Sequence, residues 1–193
     1  MIAFLRGEIL SQDGEGIILD VRGVGYELHC SQSTLDELAG QSGAVEIFVY
    51  THLRAEALQL YGFAQMNEKQ LFLSLTRVSG IGPKMAIRIL SGAKTGEIVG
   101  MIEEGDAKSL ASLPKVGKKT AEQIVLTLKG KLVLNSGEVG VRSNSSVRQE
   151  ILSALVNLGY RSHDVEKAVA QLDTKTDVQN GIREGLRILS ANF

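Results

Sequence analysis

The chain has 193 residues, a formal net charge of −1, 44% hydrophobic and 22% charged residues. That is the balance of an average globular protein and excludes disorder throughout. No apolar run approaches the roughly 18–20 residues that span a bilayer, and Met1–Arg6 does not join a basic stretch to an apolar one, so neither a membrane span nor a secretory signal is expected. Cys30 is the sole cysteine, which rules out an internal disulfide and a cysteine zinc cluster and predicts a reducing, cytoplasmic location.

Residues 1–63 read as strands. Segments 2–10, 16–22 and 25–30 are short and separated by Gly-rich turns. In 45–53, Val45, Ile47, Val49 and Leu53 fall on one face at period two. Segment 58–63 supplies a last strand, and Ser33 is placed as the cap of a short helix over 34–39. Five or six strands in about sixty residues, with one helix, predict a small closed barrel of the OB type. After Phe63 the period changes to three and four, as in Leu71, Phe72, Leu75, Val78 and again in Ile124, Val125, Leu128, Leu132, so short helices with tight turns fill 67–132. Residues 135–146 are rich in Gly, Ser and Asn and read as a flexible linker. Three helices follow, at 147–158, 163–172 and 177–190. Ser146…Gln149 and Thr176…Gln179 have the spacing of helix-starting capping boxes, and Gly159 suits a helix C-terminus. The fold class is therefore multidomain α+β. A barrel (1–63) precedes a central helical domain (64–134), a linker (135–146) and a C-terminal three-helix domain (147–193).

The near-neutral total hides an asymmetry: the net charge is −6 over residues 1–63, +5 over 64–134 and 0 over 135–193. A basic segment beside an acidic one points to a polyanionic partner.

The basic segment repeats itself at a spacing of 35 residues: Leu75, Val78, Ile81, Gly82, Lys84, Ala86 and Ile89 match Leu110, Leu113, Val116, Gly117, Lys119, Ala121 and Ile124. Each copy reads helix, glycine turn, lysine, small residue, helix, which is a helix–hairpin–helix motif twice over. Glycine lets a backbone approach a ligand with no Cβ in the way. The second helix starts at once, so its first N–H groups have no partner within the helix and, with the helix dipole, form an anion site. Pro83 suits a first helical position, where no ladder donor is lost. The residues expected to hold nucleic-acid phosphate are Gly80, Gly82, Lys84, Lys115, Gly117, Lys118 and Lys119. Such contacts position a protein on the backbone without reading bases. The second copy departs in having Lys115 where the first has Gly80.

Other chemistries fit less well. Ser112 and Lys119 occupy positions where a P-loop needs Gly and Ser or Thr, so ATP hydrolysis by this chain is not expected. Gly23-Val-Gly25 lacks the third glycine of a dinucleotide turn. His29, His52 and His163 lack ligand spacing, and no carboxylate pair in 64–134 suits two-metal nuclease chemistry. No cofactor, no metal and no catalytic residue are predicted. A helix–hairpin–helix repair enzyme and a helical adaptor for proteins remain as alternatives from the residues alone.

The order of motifs adds a further reading. Gly23-Val-Gly-Tyr-Glu27, Leu60-Tyr-Gly-Phe63, Gly80-Ile-Gly-Pro-Lys84, Gly117-Lys-Lys-Thr-Ala-Glu122 and Ala154-Leu-Val-Asn-Leu-Gly-Tyr160 together resemble the RuvA family across the whole chain. The resemblance implies a homotetramer, one or two per junction, that holds a four-way (Holliday) junction open and square during recombination and repair. It implies barrel domains meeting at the crossover and hairpins gripping phosphates. It also implies a C-terminal domain that recruits the RuvB ATPase, with the RuvC resolvase as a further partner. The family carries an acidic pin near the crossover; the matching stretch here is Arg54-Ala-Glu-Ala57, so Arg54 and Glu56 are assigned to the crossover, with Ala55 where the family usually has a second acid. Gln123 stands where the family often has Arg. Leu155, Leu158 and Tyr160 match apolar family positions associated with RuvB.

Overall fold

The computed structural model describes residues 1–54, 57–132, 144–173 and 176–191. Five strands, β1 (Phe4–Gln12), β2 (Gly16–Val21), β3 (Val24–Cys30), β4 (Ala44–Arg54) and β5 (Ala57–Phe63), close into a barrel in the order β1-β2-β3-β5-β4. All pairs are antiparallel except β3 with β5, and β4 pairs back onto β1, so no edge is left open. This is the expected OB-type barrel. Period-two residues fill it: Leu19, Leu28 and Ile47 have no exposed surface, and Val45 and Val49 lie beside them. Leu53 departs from the expected face and is 74% exposed, because β4 runs on past the barrel to a hairpin with β5.

Helix α1 (Gln32–Leu38) links β3 to β4. Its cap is Ser31, not Ser33: the Ser31 hydroxyl accepts from Thr34 N–H at 3.1 Å, so the helix starts two residues before the expected position.

The central domain contains α2 (Met66–Thr76), α3 (Pro83–Leu90), α4 (Thr95–Glu104), α5 (Ala107–Leu110) and α6 (Lys118–Leu128). Its core runs without a break into the last barrel strand, whose Tyr61 and Phe63 are buried among Leu71, Phe72 and Leu75 of α2. The ring of Phe72 lies 5.3 Å from Tyr50, 5.4 Å from Tyr61 and 4.9 Å from Phe63, an aromatic seam that holds barrel and helices together.

Helices α7 (Asn144–Asn157), α8 (Ser162–Ala170) and α9 (Val178–Ala191) form the C-terminal unit around Ile151, Leu155, Val165 and Leu189. Helix α7 begins at Asn144, so the last three residues of the expected linker and the expected Ser146 start lie inside it. The rest of that linker, 135–143, lies outside the described residues. Asp177 rather than Thr176 caps α9, accepting from Asn180 N–H at 2.8 Å. A Cβ on Gly181 would stand 2.2 Å from Ile151 Cδ1, so this mid-helix glycine lets α9 close on α7. No helix among the described residues is long and apolar enough to cross a membrane.

Candidate nucleic-acid interface

The two hairpins are copies in space as well as in sequence. The first runs α2–turn–α3 and the second α5–turn–α6. In the first, Val78 N–H donates to Leu75 O, Ile81 N–H to Val78 O and Ala86 N–H to Gly82 O, at 3.0, 3.0 and 2.9 Å. In the second, Leu113 N–H donates to Leu110 O, Val116 N–H to Leu113 O and Ala121 N–H to Gly117 O, at 3.1, 3.1 and 2.9 Å. The matched apolar residues are all buried, and Ala86 and Ala121 have no exposed surface, which lets the paired helices approach closely. The end of α3 touches the second turn: a Cβ on Gly92 would stand 2.5 Å from Pro114 Cδ.

Gly82 (φ −91, ψ 173) and Gly117 (φ −88, ψ 167) cap α3 and α6 with almost identical backbones. These are extended values that any residue adopts, and a Cβ at either position would meet nothing within 4 Å. Neither backbone strain nor internal packing therefore asks for glycine there; what its absence of side chain preserves is open space outside the molecule. No side chain caps either helix: in α3 Pro83 has no N–H and Met85 N–H donates to Gly82 O at 3.0 Å, which leaves the Lys84 N–H, whereas in α6 the N–H groups of Lys118, Lys119 and Thr120 all precede the first helical bond, from Ala121 N–H to Gly117 O.

The remaining assigned residues surround these ends. Gly80, Gly82, Lys84, Lys115, Gly117, Lys118 and Lys119 are all exposed. Among the described residues the ion pair within 4.0 Å is Arg6 with Glu46 in the barrel, so none of these lysines is tied to a carboxylate. The turns themselves use left-handed backbone: Gly80 at φ 85 and its counterpart Lys115 at φ 62, a conformation that opposes a side chain. Between the hairpins, Glu104 ends α4 and Asp106 starts the next helix. Asp106 caps α5, accepting from the Ser109 N–H at 3.0 Å and the Ser109 hydroxyl at 2.6 Å, and these bonds hold its carboxyl below the usual range.

Of the crossover pair, Arg54 ends β4, is exposed and donates from Nε to His52 Nε2 at 2.9 Å. Glu56 and its neighbour Ala55 lie outside the described residues. Exposed Leu53 and Leu58 face each other across the paired ends of β4 and β5. The C-terminal trio divides. Leu155 has no exposed surface and packs on Gly185 of α9, so it is a core residue and cannot meet a partner directly. Leu158 is 61% exposed and Tyr160 is half-buried against the domain core.

The sequence motifs did not single out Glu68. It is 3% exposed on α2 and faces α1 of the barrel domain. Burial pushes its carboxyl above the usual range, opposed by hydrogen bonds from Ser31 and Thr34 and reinforced by Glu37. Burial, with Glu68 nearby, also pushes the Cys30 thiol up to about 12. The signal was present: Glu68 stands in helical phase with Leu71, Phe72 and Leu75, a carboxylate on an apolar stripe.

Comparison with known proteins gives the same domain order. Residues 1–62 match the RuvA N terminal domain, 72–130 the SAM-like helix-hairpin-helix tandem, and 146–190 the RuvA C-terminal domain. The Holliday junction branch migration complex subunit RuvA of Bdellovibrio bacteriovorus is 50% identical over the full length of both chains. The proteins of the same name from Geobacter sp. (strain M21) and Geobacter metallireducens are 39% and 40% identical, each covering 98% of this chain and 99% of the relative. With a tandem of glycine-capped hairpins between a closed barrel and a three-helix unit, and with identity at this level over the whole length, the chain belongs to the RuvA family.

Proposed function

We propose that the chain is a non-catalytic, DNA-binding subunit of a Holliday junction branch migration complex. The observation that carries this reading is the pair of matched hairpins, each with a glycine at a helix start that no side chain caps and with exposed, unpaired lysines beside it. A phosphate at each turn accepts from backbone N–H groups, and the lysine ammonium groups neutralise its charge. Two such turns fix the chain on a duplex backbone without reading sequence. A four-fold homotetramer, one or two per junction, would present one such surface to each of four arms. Arg54 and Glu56 would stand at the crossover, where acid facing phosphate repels strands and guides them apart. The C-terminal domain would recruit the RuvB ATPase through exposed Leu158 and half-buried Tyr160, with RuvC resolvase a further partner; the ATP chemistry would belong to the motor.

A competition gel shift with a four-way junction against linear duplex of equal length tests the reading. The junction should win strongly, whatever its sequence, and added salt should weaken binding steeply. Equal competition by linear duplex, or no shift at low salt, would overturn it.

A further inference from the structure

We propose that Glu68 is a positioning residue that fixes the angle between barrel and hairpins, and thereby the preference for a four-way junction over a duplex. This deepens the junction-binding reading and rests on it. The interface between barrel and helices has two unlike parts. One is the aromatic seam of Tyr50, Tyr61, Phe63 and Phe72. Apolar contact supplies cohesion but is non-directional, so flat rings can slide and tilt at small cost. The other part is polar and buried, and it is directional.

At that second part the Ser31 hydroxyl donates to Glu68 Oε1, and the Thr34 hydroxyl donates to Oε2 at 2.6 Å. Both hydroxyls already accept a backbone N–H: Ser31 from Thr34 at 3.1 Å, and Thr34 from Ala64 at 3.1 Å. Each therefore has one proton left to give. A carboxylate takes both, with one oxygen facing each hydroxyl. Ser31 and Thr34 belong to the start of α1 on the barrel; Ala64 and Glu68 belong to the segment that opens the hairpin domain. The four groups thus form a closed chain of bonds across the domain boundary, and among the described residues no buried side-chain polar atom is left without a partner. A second strut runs alongside, from Gln32 N–H to the Ser91 hydroxyl at 3.0 Å, tying α1 to the end of α3.

The consequence for function follows from geometry. Duplex binding needs only the turns. Four arms held at once need every subunit to keep its hairpins at one angle to the barrel. Loosening the angle should spare the duplex and penalise the junction.

The test uses the full-length protein with Thr34→Val and Glu68→Gln. Thr34→Val keeps shape and removes both the donor to Glu68 and the acceptor of Ala64 N–H; Glu68→Gln keeps volume and removes one acceptor. Junction and duplex affinities are measured side by side. The domain angle is read by pulsed electron resonance between spin labels on Gln41→Cys and Lys108→Cys, with labelled chains diluted into unlabelled ones. Cys30, buried and with its thiol pushed up to about 12, stays unlabelled. The expected result is a narrow distance distribution in the parent, a broadened one in both variants, and junction preference reduced about fivefold, the weight of one hydrogen bond, at unchanged duplex affinity. Unchanged distributions, broadening without loss of preference, or equal loss on both DNAs would each overturn the proposal. A parent with no junction preference would refute the junction reading itself, and the distances would still report whether Glu68 sets the angle.

Discussion

Replacing Lys115 with glycine should make the protein more stable and a weaker DNA binder at once. Lys115 sits at φ 62 where its counterpart Gly80 sits at φ 85. Holding a residue with a Cβ in that left-handed region costs roughly 1–2 kcal/mol. Glycine removes the strain, but it adds about 0.5–1 kcal/mol of chain entropy to the unfolded state. The balance is a gain of up to about 1.5 kcal/mol, with a rise of roughly 2–4 °C in the melting midpoint per kcal/mol for a chain of this length. Binding moves the other way. Lys115, Lys118 and Lys119 stand exposed at the second turn, and removing one phosphate contact lowers the slope of log affinity against log salt by about 0.9 per site. Thermal unfolding at fixed protein concentration reads the first effect, and junction affinity over a salt series reads the second. Lys115→Ala separates the causes: it keeps the Cβ and the strain, so binding should fall with no gain in stability. A Lys115→Gly protein that melts below the parent refutes the strain argument. A salt slope unchanged in both variants refutes the role of Lys115 at phosphate.

Four further outcomes are expected. Gly117→Ala should leave stability within about 1 kcal/mol yet weaken junction binding, because its backbone is ordinary and its Cβ would occupy only the space a phosphate enters; full affinity in a gel shift would refute this. Leu155→Ala should cost the C-terminal unit roughly 2–5 kcal/mol and Leu158→Ala about 0.5 at most, read by hydrogen exchange of α7–α9, since the first is fully buried and the second is 61% exposed. Cys30 should react with a thiol reagent at pH 8 only after denaturation, because the thiol is buried and pushed up to about 12; prompt reaction of the native protein would contradict that. Glu68, raised above its ordinary range by burial, with Ser31 and Thr34 opposing and Glu37 of α1 and Cys30 of β3 nearby, binds its proton more tightly folded than unfolded. Its contribution is therefore complete below about pH 4.3 and falls as pH rises through the folded value, so denaturant midpoints of parent and Glu68→Gln should diverge across that window.

What could be read from the residues depended on how local the cause was. The 35-residue repeat, the lysines and the glycine caps are local patterns, and they stand in space as they do in sequence. Caps were less secure, because neighbouring Ser, Thr and Asp compete for the same N–H groups: Ser31 displaced Ser33, and Asp177 displaced Thr176. The face of β4 was legible up to Val49 and failed at Leu53, because periodicity says which side a residue takes but not where the barrel ends. Leu155 and Leu158 looked alike as apolar neighbours three apart; only the close approach of Gly185 decides which one is core. Glu68 was the largest omission. Its partners lie 34 and 37 positions away, and no local pattern announces a bond across a domain boundary.

Glycine at Gly82 and Gly117 was expected because it admits a ligand with no Cβ in the way, and the backbone leaves that as its reason. Both residues are extended; the turning falls to Gly80 and Lys115, two residues earlier. The two demands of the hairpin are thus separate, and the second copy meets them differently. Clearance for a ligand is kept by glycine in both copies, whereas the bend is left to a lysine in the second. A bend made by lysine is less stable than one made by glycine, and only an added positive charge sets it apart in return. Exposed charges more than about 8–10 Å apart are largely screened at physiological salt, so a phosphate at the second turn feels the lysines beside it rather than the chain's total of −1. An acidic barrel is compatible with DNA binding for the same reason, and with −6 over residues 1–63 against +5 over 64–134 the field turns a polyanion toward the hairpins and away from the barrel's flanks.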